Sequence, residues 1–143
     1  MGIQVRMHSI SCSGINGINL NKKHPDEVIF DDQVSIEVQQ HPFGHYNVIK
    51  IESIASIGRT GESVEFKSQT TFNIETDVDV LKKENTALVN ALYIELVSAS
   101  YSHHRALFTE KSKGTNFATF IIPFKAIHQI NTIVQQAVSP NSN

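Results

Sequence analysis

Ala87–Tyr101, ALVNALYIELVSASY, decides the reading of this chain: it is a helical stretch that is apolar on more than one side and carries Glu95 as its only charge. At about 100° per residue, Leu88, Leu92, Leu96 and Ala99 fall on one stripe with Val89 beside them. Tyr93, Val97, Tyr101 and Ile94 fall on a second stripe, roughly a quarter turn or more away. A helix on the surface of a small domain needs one apolar stripe, and a second asks for another covering layer. The run is too short, and its Asn90, Glu95 and serines too polar, to span a bilayer, which takes about 20 apolar residues. The second layer is either the rest of the chain or a second copy of it. The copy is the reading adopted, with Tyr93, Val97 and Tyr101 as the face that meets it.

Upstream, the pattern is that of strands and turns. Ile15–Asn21 ends in alternation, with Ile18 and Leu20 on one side and Asn19 and Asn21 on the other. A turn-rich crossing follows, Lys22-Lys23-His24-Pro25-Asp26, and leads into Val28, Ile29 and Phe30. Val34, Ile36 and Val38 alternate with Ser35, Glu37 and Gln39 as a second strand. His41-Pro42-Phe43-Gly44 interrupts it, because proline removes a ladder donor. Residues 46–57 resume as a long strand whose alternation slips near Ile49, where a bulge is expected. Gly58-Arg59-Thr60-Gly61 has the composition of a hairpin turn. Beyond it, Val64, Phe66, Ser68, Thr70, Phe72 and Ile74 face one way and Glu65, Lys67, Gln69, Thr71 and Asn73 the other, as in an antiparallel sheet with one covered face.

Downstream, Asn85 or Thr86 caps the helix, which continues to about Lys111 before Gly114 stops it. Residues 115–122 form an apolar link with Phe117 and Phe120. Pro123 suits the first turn of a last helix, in which Phe124, Ile127, Ile130, Val134 and Val138 recur at spacings of three and four. Four strands, a long helix, a link and a short helix make an α+β domain. With 143 residues one domain is expected, residues 1–13 and 139–143 being read as loose ends. A chain of this size buries about 68–70% of its unfolded surface and needs neither disulfide nor metal to hold a core.

Charge and composition narrow the function. Charged residues make up 18% and the formal charge is −2 with no basic stripe, which argues against nucleic acid as a partner. The single cysteine, Cys12, cannot form an internal bridge. The N-terminus lacks the charged-then-apolar layout of a signal peptide. A reduced cytoplasm is the expected setting. Among seven histidines, His41 and His45 flank a turn and His103 and His104 point in different directions, so no metal site is expected. Cys12 has no basic neighbour to activate it, and no G-x-S-x-G elbow is present. Gly14 and Gly17 lack the third glycine of a dinucleotide loop. Asp77 and Asp79 read as solvated charges at a helix start. No catalytic residue and no cofactor are assigned.

Apolar side chains instead concentrate in connecting segments: Val28, Ile29 and Phe30 in the crossing, Phe43 beside the proline, and Phe117, Phe120, Ile121 and Ile122 in the link. More of them lie there than a small domain needs to pack, and exposed apolar patches mark partner or ligand sites. A groove of that kind accepts extended, apolar polypeptide.

At this point a resemblance emerges. Ile54-Ala55-Ser56-Ile57-Gly58, then Val64-Glu65-Phe66 and Phe72-Asn73-Ile74, resemble the second hairpin of the SecB family of protein-export chaperones. Ile18-Asn19-Leu20 with its proline-containing crossing is similar to that family's first strand and crossover loop. Lys113-Gly114-Thr115, the link and the Phe124 helix are similar to its long-to-short helix connection. The match runs from about Ser11 to Gln136. It implies a four-stranded antiparallel sheet with two helices and a homotetramer built as a dimer of dimers. It also implies ATP-independent binding of unfolded preproteins in grooves, lined here by Phe30, Phe117, Phe120, Ile122, Phe124 and Ile127. Export members carry acidic residues on the first strand that dock on the translocase motor. Gly17 and Asn21 stand at the matching positions, Lys22-Lys23 follow, and only Glu65 is a docking-type carboxylate, which leaves motor docking unsupported. SecB-like relatives that guard antitoxins or serve mobile elements fit equally well.

The reading is therefore a holdase for non-native polypeptide clients, with Val28 and Phe43 added to the groove residues, and no membrane insertion. Its rivals are a small-molecule-binding or hotdog-like domain, which needs an enclosed pocket with converging polar groups, and a purely structural assembly subunit.

Overall fold

The computed structural model describes residues 3–15, 29–40, 46–59, 62–76, 86–115 and 117–138. Its elements are β1 (Ile3–Cys12), β2 (Ile29–Gln40), β3 (Tyr46–Arg59), β4 (Glu62–Thr76), α1 (Thr86–Lys111) and α2 (Ile127–Val138). The strict alternation of Val64–Ile74 makes β4 a central strand. It pairs with β3 in a hairpin that closes at Arg59 and Glu62, and with β1 on its other side. The sheet is antiparallel in the order β1-β4-β3-β2, and α1 lies against β3 and β4. This is the α+β architecture expected, a four-stranded sheet followed by a long and a short helix.

Three local expectations are corrected. The strand beside β4 is Ile3–Cys12, pairing from Ile3–Thr76 to Cys12–Ser68, and not the stretch from Ile15. Ile15 follows the strand and packs on the core, whereas residues 16–21 lie outside the described residues. Ile49 sits in unbroken register with both neighbours, Val38 and Phe72, so no bulge lies there. The irregularity is in β1, where the register shifts between Met7 and Ser9. Finally, α2 begins at Ile127 rather than at Pro123. The carbonyl of Ala126 accepts from Gln129 N and Ile130 N, while the Gln129 side chain reaches back to the Ala126 N–H at 2.7 Å. That is one half of a capping box, Ala126 having no side-chain acceptor to return the bond, and it marks the start of the helix.

The inner face of the sheet builds two adjoining clusters. Ile49, Ile51, Phe72 and Ile74 pack on Leu92, Tyr93, Leu96 and Val97 of α1 and on Ile130 and Val134 of α2. Ala55, Ile57, Val64 and Phe66 pack on Tyr101, Phe108, Phe117 and Ile122. Aromatic rings link the layers: Phe30 to Phe120 at 5.4 Å, Phe120 to Phe108 at 6.2 Å, Phe108 edge-on to Phe66 at 5.4 Å. Fully burying one such ring contributes about 1.5–3 kcal/mol.

The two stripes of α1 are a single wide face. Ser100 lies angularly between them and His104 within the second, and both are fully buried. Ser100 Oγ donates to the carbonyl of Ile51, and His104 Nδ1 bonds Ser68 Oγ at 2.6 Å. Two polar side chains bonded to the sheet thus belong to the buried face that the hydropathy pattern left divided. Tyr93, Val97 and Tyr101 are accordingly covered by this chain's own sheet, link and second helix, with exposures of 3%, 0% and 3%. A second copy is not needed to cover them, which corrects the reading of that trio as the oligomer face. At the far end, Gly114 turns the chain with φ +79°, a conformation open to glycine at no steric cost.

Candidate functional site

Between α1 and α2 the chain runs exposed side chains over a pinned backbone. Arg105 Nε donates to the carbonyl of Ile122 at 2.9 Å and the Tyr101 hydroxyl donates to that of Pro123 at 3.2 Å. These bonds hold residues 122–123 against α1, so the helix cannot start there. Ile122 turns inward, while Ile121 and Phe124 on either side turn outward, 68% and 70% exposed. Ile127, on the first turn of α2, is 64% exposed. Phe124 and Ile127 border a groove of about 200 Å³ with Ser98, Tyr101, Ser102, Arg105, Lys125 and Ile130.

A buried ion pair separates this groove from a larger one. Lys125 Nζ lies 3.1 Å from Asp32 Oδ2 and 3.2 Å from Asp32 Oδ1. The same carboxylate accepts the Tyr101 hydroxyl at 2.6 Å, taking the larger share of the single proton it divides with the Pro123 carbonyl, and the ammonium sits 4.9 Å from the Tyr101 ring centre. Burial, the bond to Asp32 and that carboxylate's charge push the Tyr101 hydroxyl far above its ordinary value, so it remains a donor. Burial holds His104 at about 4, against an ordinary 6.5, with Asp32 opposing and Lys125 adding to the shift. His104 is therefore neutral, and its Nε2 has no hydrogen-bond partner among the described residues. On the other side of the pair, Asp32–Ile36 of β2 face Ile133, Gln136 and Ala137 of α2 across a cleft of about 580 Å³, onto which Ile54 also opens.

The expected groove residues divide. Phe124 and Ile127 are exposed as a client site requires. Phe30 and Phe120 stack half-buried on each other. Phe117 and Ile122 are each 1% exposed within the second cluster, so a client cannot touch them without opening the core; their place in the groove is corrected to a supporting one. Val28 and Phe43 lie outside the described residues. Hydropathy did not point to Asp32 and Lys125, and it offered Tyr101 only as part of an apolar helix face; folding brings the three together across long sequence separations. The nearest hint was Asp32 itself, a charge inserted where β2's inward alternation runs through Phe30 and Val34.

Further apolar side chains stand open at β1, where Val5, Met7 and Ile10 are 43%, 52% and 38% exposed. Their pairing with Ile74, Phe72 and Thr70 places them on the inner side of the sheet, on an edge strand. No group of three metal-ligating side chains occurs among the described residues, and no described helix is long and apolar enough to cross a membrane.

No protein-family model matches this sequence, and no curated protein matches it either. Among solved structures the chain is similar to a SecB-like chaperone of Mycobacterium tuberculosis in complex with a ChAD peptide from an antitoxin. The TM-score is 0.55 at 13% identity, over 87% of this chain and 90% of that one. A protein of unknown function from Streptococcus agalactiae aligns at TM-score 0.33 and 8% identity, over 87% of this chain and all of that one. The first of these likenesses places the chain's fold with that of a SecB-like chaperone.

Proposed function

We propose that the chain is an ATP-independent holdase that binds non-native polypeptide through the apolar surface around Phe124 and Ile127. The observation that carries this reading is the exposure of Ile121, Phe124 and Ile127 on a backbone tied to α1, which keeps three large apolar side chains in water rather than in the adjacent core. Their open presentation suits extended clients of varied sequence. Sequestering such segments lowers the free concentration of aggregation-prone chain by mass action. The fold shared with a peptide-binding chaperone supports the same reading. Because that neighbour holds an antitoxin peptide, service to one dedicated client is as compatible as general protein export. Assembly into a homotetramer, a dimer of dimers, belongs to the proposal. The edge of β1, unpaired among the described residues and with Val5, Met7 and Ile10 beside it, supports contact between copies, and several client sites on one particle would raise avidity. The cytoplasm is the proposed location.

The test is light scattering from a chemically unfolded model protein diluted into buffer with and without this chain. Suppression at comparable molar amounts is the expected result. Undiminished scattering at a several-fold excess of the chain would remove the proposal.

A further inference from the structure

The sheet face turned away from the helices carries a depression of about 430 Å³ across β1, β4 and β3, and we infer that it binds a phosphate group, free or on a small molecule. Along β4 that face reads Glu65, Lys67, Gln69, Thr71, Asn73, Glu75. The three uncharged members of the row, Gln69, Thr71 and Asn73, are the ones that line the depression. Thr71 is 5% exposed, although the described helices pack on the other face, so its neighbours wall it in. β1 contributes through its irregularity. Consecutive residues of a regular strand point to opposite faces, yet His8 and Ser9 both line the depression. The register shift inserts His8 as an extra residue, so that Ser9 pairs with Thr71 on this face. Bulges beside functional sites re-aim side chains in this way.

Charge and donor chemistry select the occupant. β3 supplies Lys50, opposite Thr71, and the apolar Val48, opposite Asn73. Among the described residues no carboxylate lines the depression, and Lys50 makes no ion pair. Glu37, its neighbour across β2, accepts from Gln39 at 3.4 Å instead. Every polar side chain in the lining can donate: an ammonium, an imidazole, two hydroxyls and two amides. Donors drawn from three strands suit the three acceptor oxygens of a phosphate, which lysine binds as a point charge. A planar carboxylate is matched better by an arginine fork, and the described lining has none. The volume is that of a small-molecule site, about 300–1,000 Å³, and leaves room for an organic group beside Val48. This site lies across the sheet from the apolar surface around Phe124 and Ile127, so it stands or falls apart from the holdase reading.

The experiment follows the amide resonances of the isotope-labelled intact chain at constant ionic strength. Phenyl phosphate, inorganic phosphate and benzoate are titrated in turn. The amides of Ser9, Lys50, Thr71 and Asn73 are expected to shift saturably with both phosphates, and benzoate to bind about tenfold more weakly. Tighter binding of phenyl phosphate makes the occupant an ester and equal affinity makes it the free ion; either upholds the inference. Lys50→Gln is expected to weaken both phosphates about tenfold. Lys67→Gln, on the same face outside the depression, is expected to weaken them less than about twofold. Shifts that never saturate, or that fall on other residues, overturn the inference. So does benzoate binding as well as phosphate, a comparison made on the unaltered chain and decisive even where a variant unfolds. Equal losses in the two lysine variants would also overturn it, by assigning the binding to diffuse surface charge.

Discussion

His104 shows what a single residue can conceal. A histidine in a serine-rich helical run reads as solvent-facing or hydrogen-bonded, and it proves to be fully buried and tied to Ser68. Its value is depressed from 6.5 to about 4 by burial. Protonation therefore favours the unfolded chain. The stability from keeping His104 neutral is complete above pH 6.5 and is lost as the pH falls toward 4, by up to about 3 kcal/mol. Denaturant unfolding across that interval should show the decline, and His104→Gln should flatten it; an equally steep decline in the variant would assign it to other groups. The Asp32–Lys125 pair behaves differently. Its side chains are 12% and 16% exposed, so removing one partner strands a largely buried charge. Asp32→Ala should cost about 3 kcal/mol or more in chemical denaturation. Asp32→Ala combined with Lys125→Met should recover a good part of that loss, and additive losses would deny the coupling. Neither effect was legible beforehand, because partners separated by so much sequence leave no periodicity.

Among the elements, legibility followed periodicity. β4 and α1 were read with their ends close to the observed ones, since strict alternation and a capped apolar run each name one secondary structure. β1 was missed for a physical reason. Val5 and Met7 are two apart, but the register shift after Met7 puts the next inward residue at Ile10, so the alternation breaks mid-strand. The start of α2 was placed early because its apolar spacing runs back to Phe124, whereas hydrogen bonds from α1 side chains engage the carbonyls of Ile122 and Pro123. The two stripes of α1 misled because Ser100 and His104, both polar, are part of the buried face. Phe108, fully buried between Phe66 and Phe120, and Phe124, 70% exposed, separate the two roles of phenylalanine here. Phe108→Ala should lower the unfolding free energy by about 3–5 kcal/mol, and Phe124→Ala by about 0.5 kcal/mol or less. Comparable losses would place Phe124 in the core.

For the whole molecule, the α+β architecture came from the order of patterns, and part of the candidate site came with it. Phe124 and Ile127 were identified as apolar residues of a connecting segment and its helix, and they are open to solvent. Phe117 and Ile122 carried the same signal and are buried, since hydropathy does not say which side of a link faces inward. The proposed assembly belongs to this scale. Sedimentation should give the mass of a tetramer, and Met7→Glu should shift it toward smaller species if the β1 edge joins copies; an unchanged mass would move the contact elsewhere. The most direct measurement concerns the exposed residues themselves. A permanently unfolded, dye-labelled polypeptide is titrated with the wild-type chain and with the double variant Phe124→Ser, Ile127→Ser, beside unfolding curves of both. The account predicts binding by the wild type, a loss of about tenfold or more in the variant for two buried apolar contacts removed, and nearly the same unfolding midpoint. Equal binding by both proteins would contradict it.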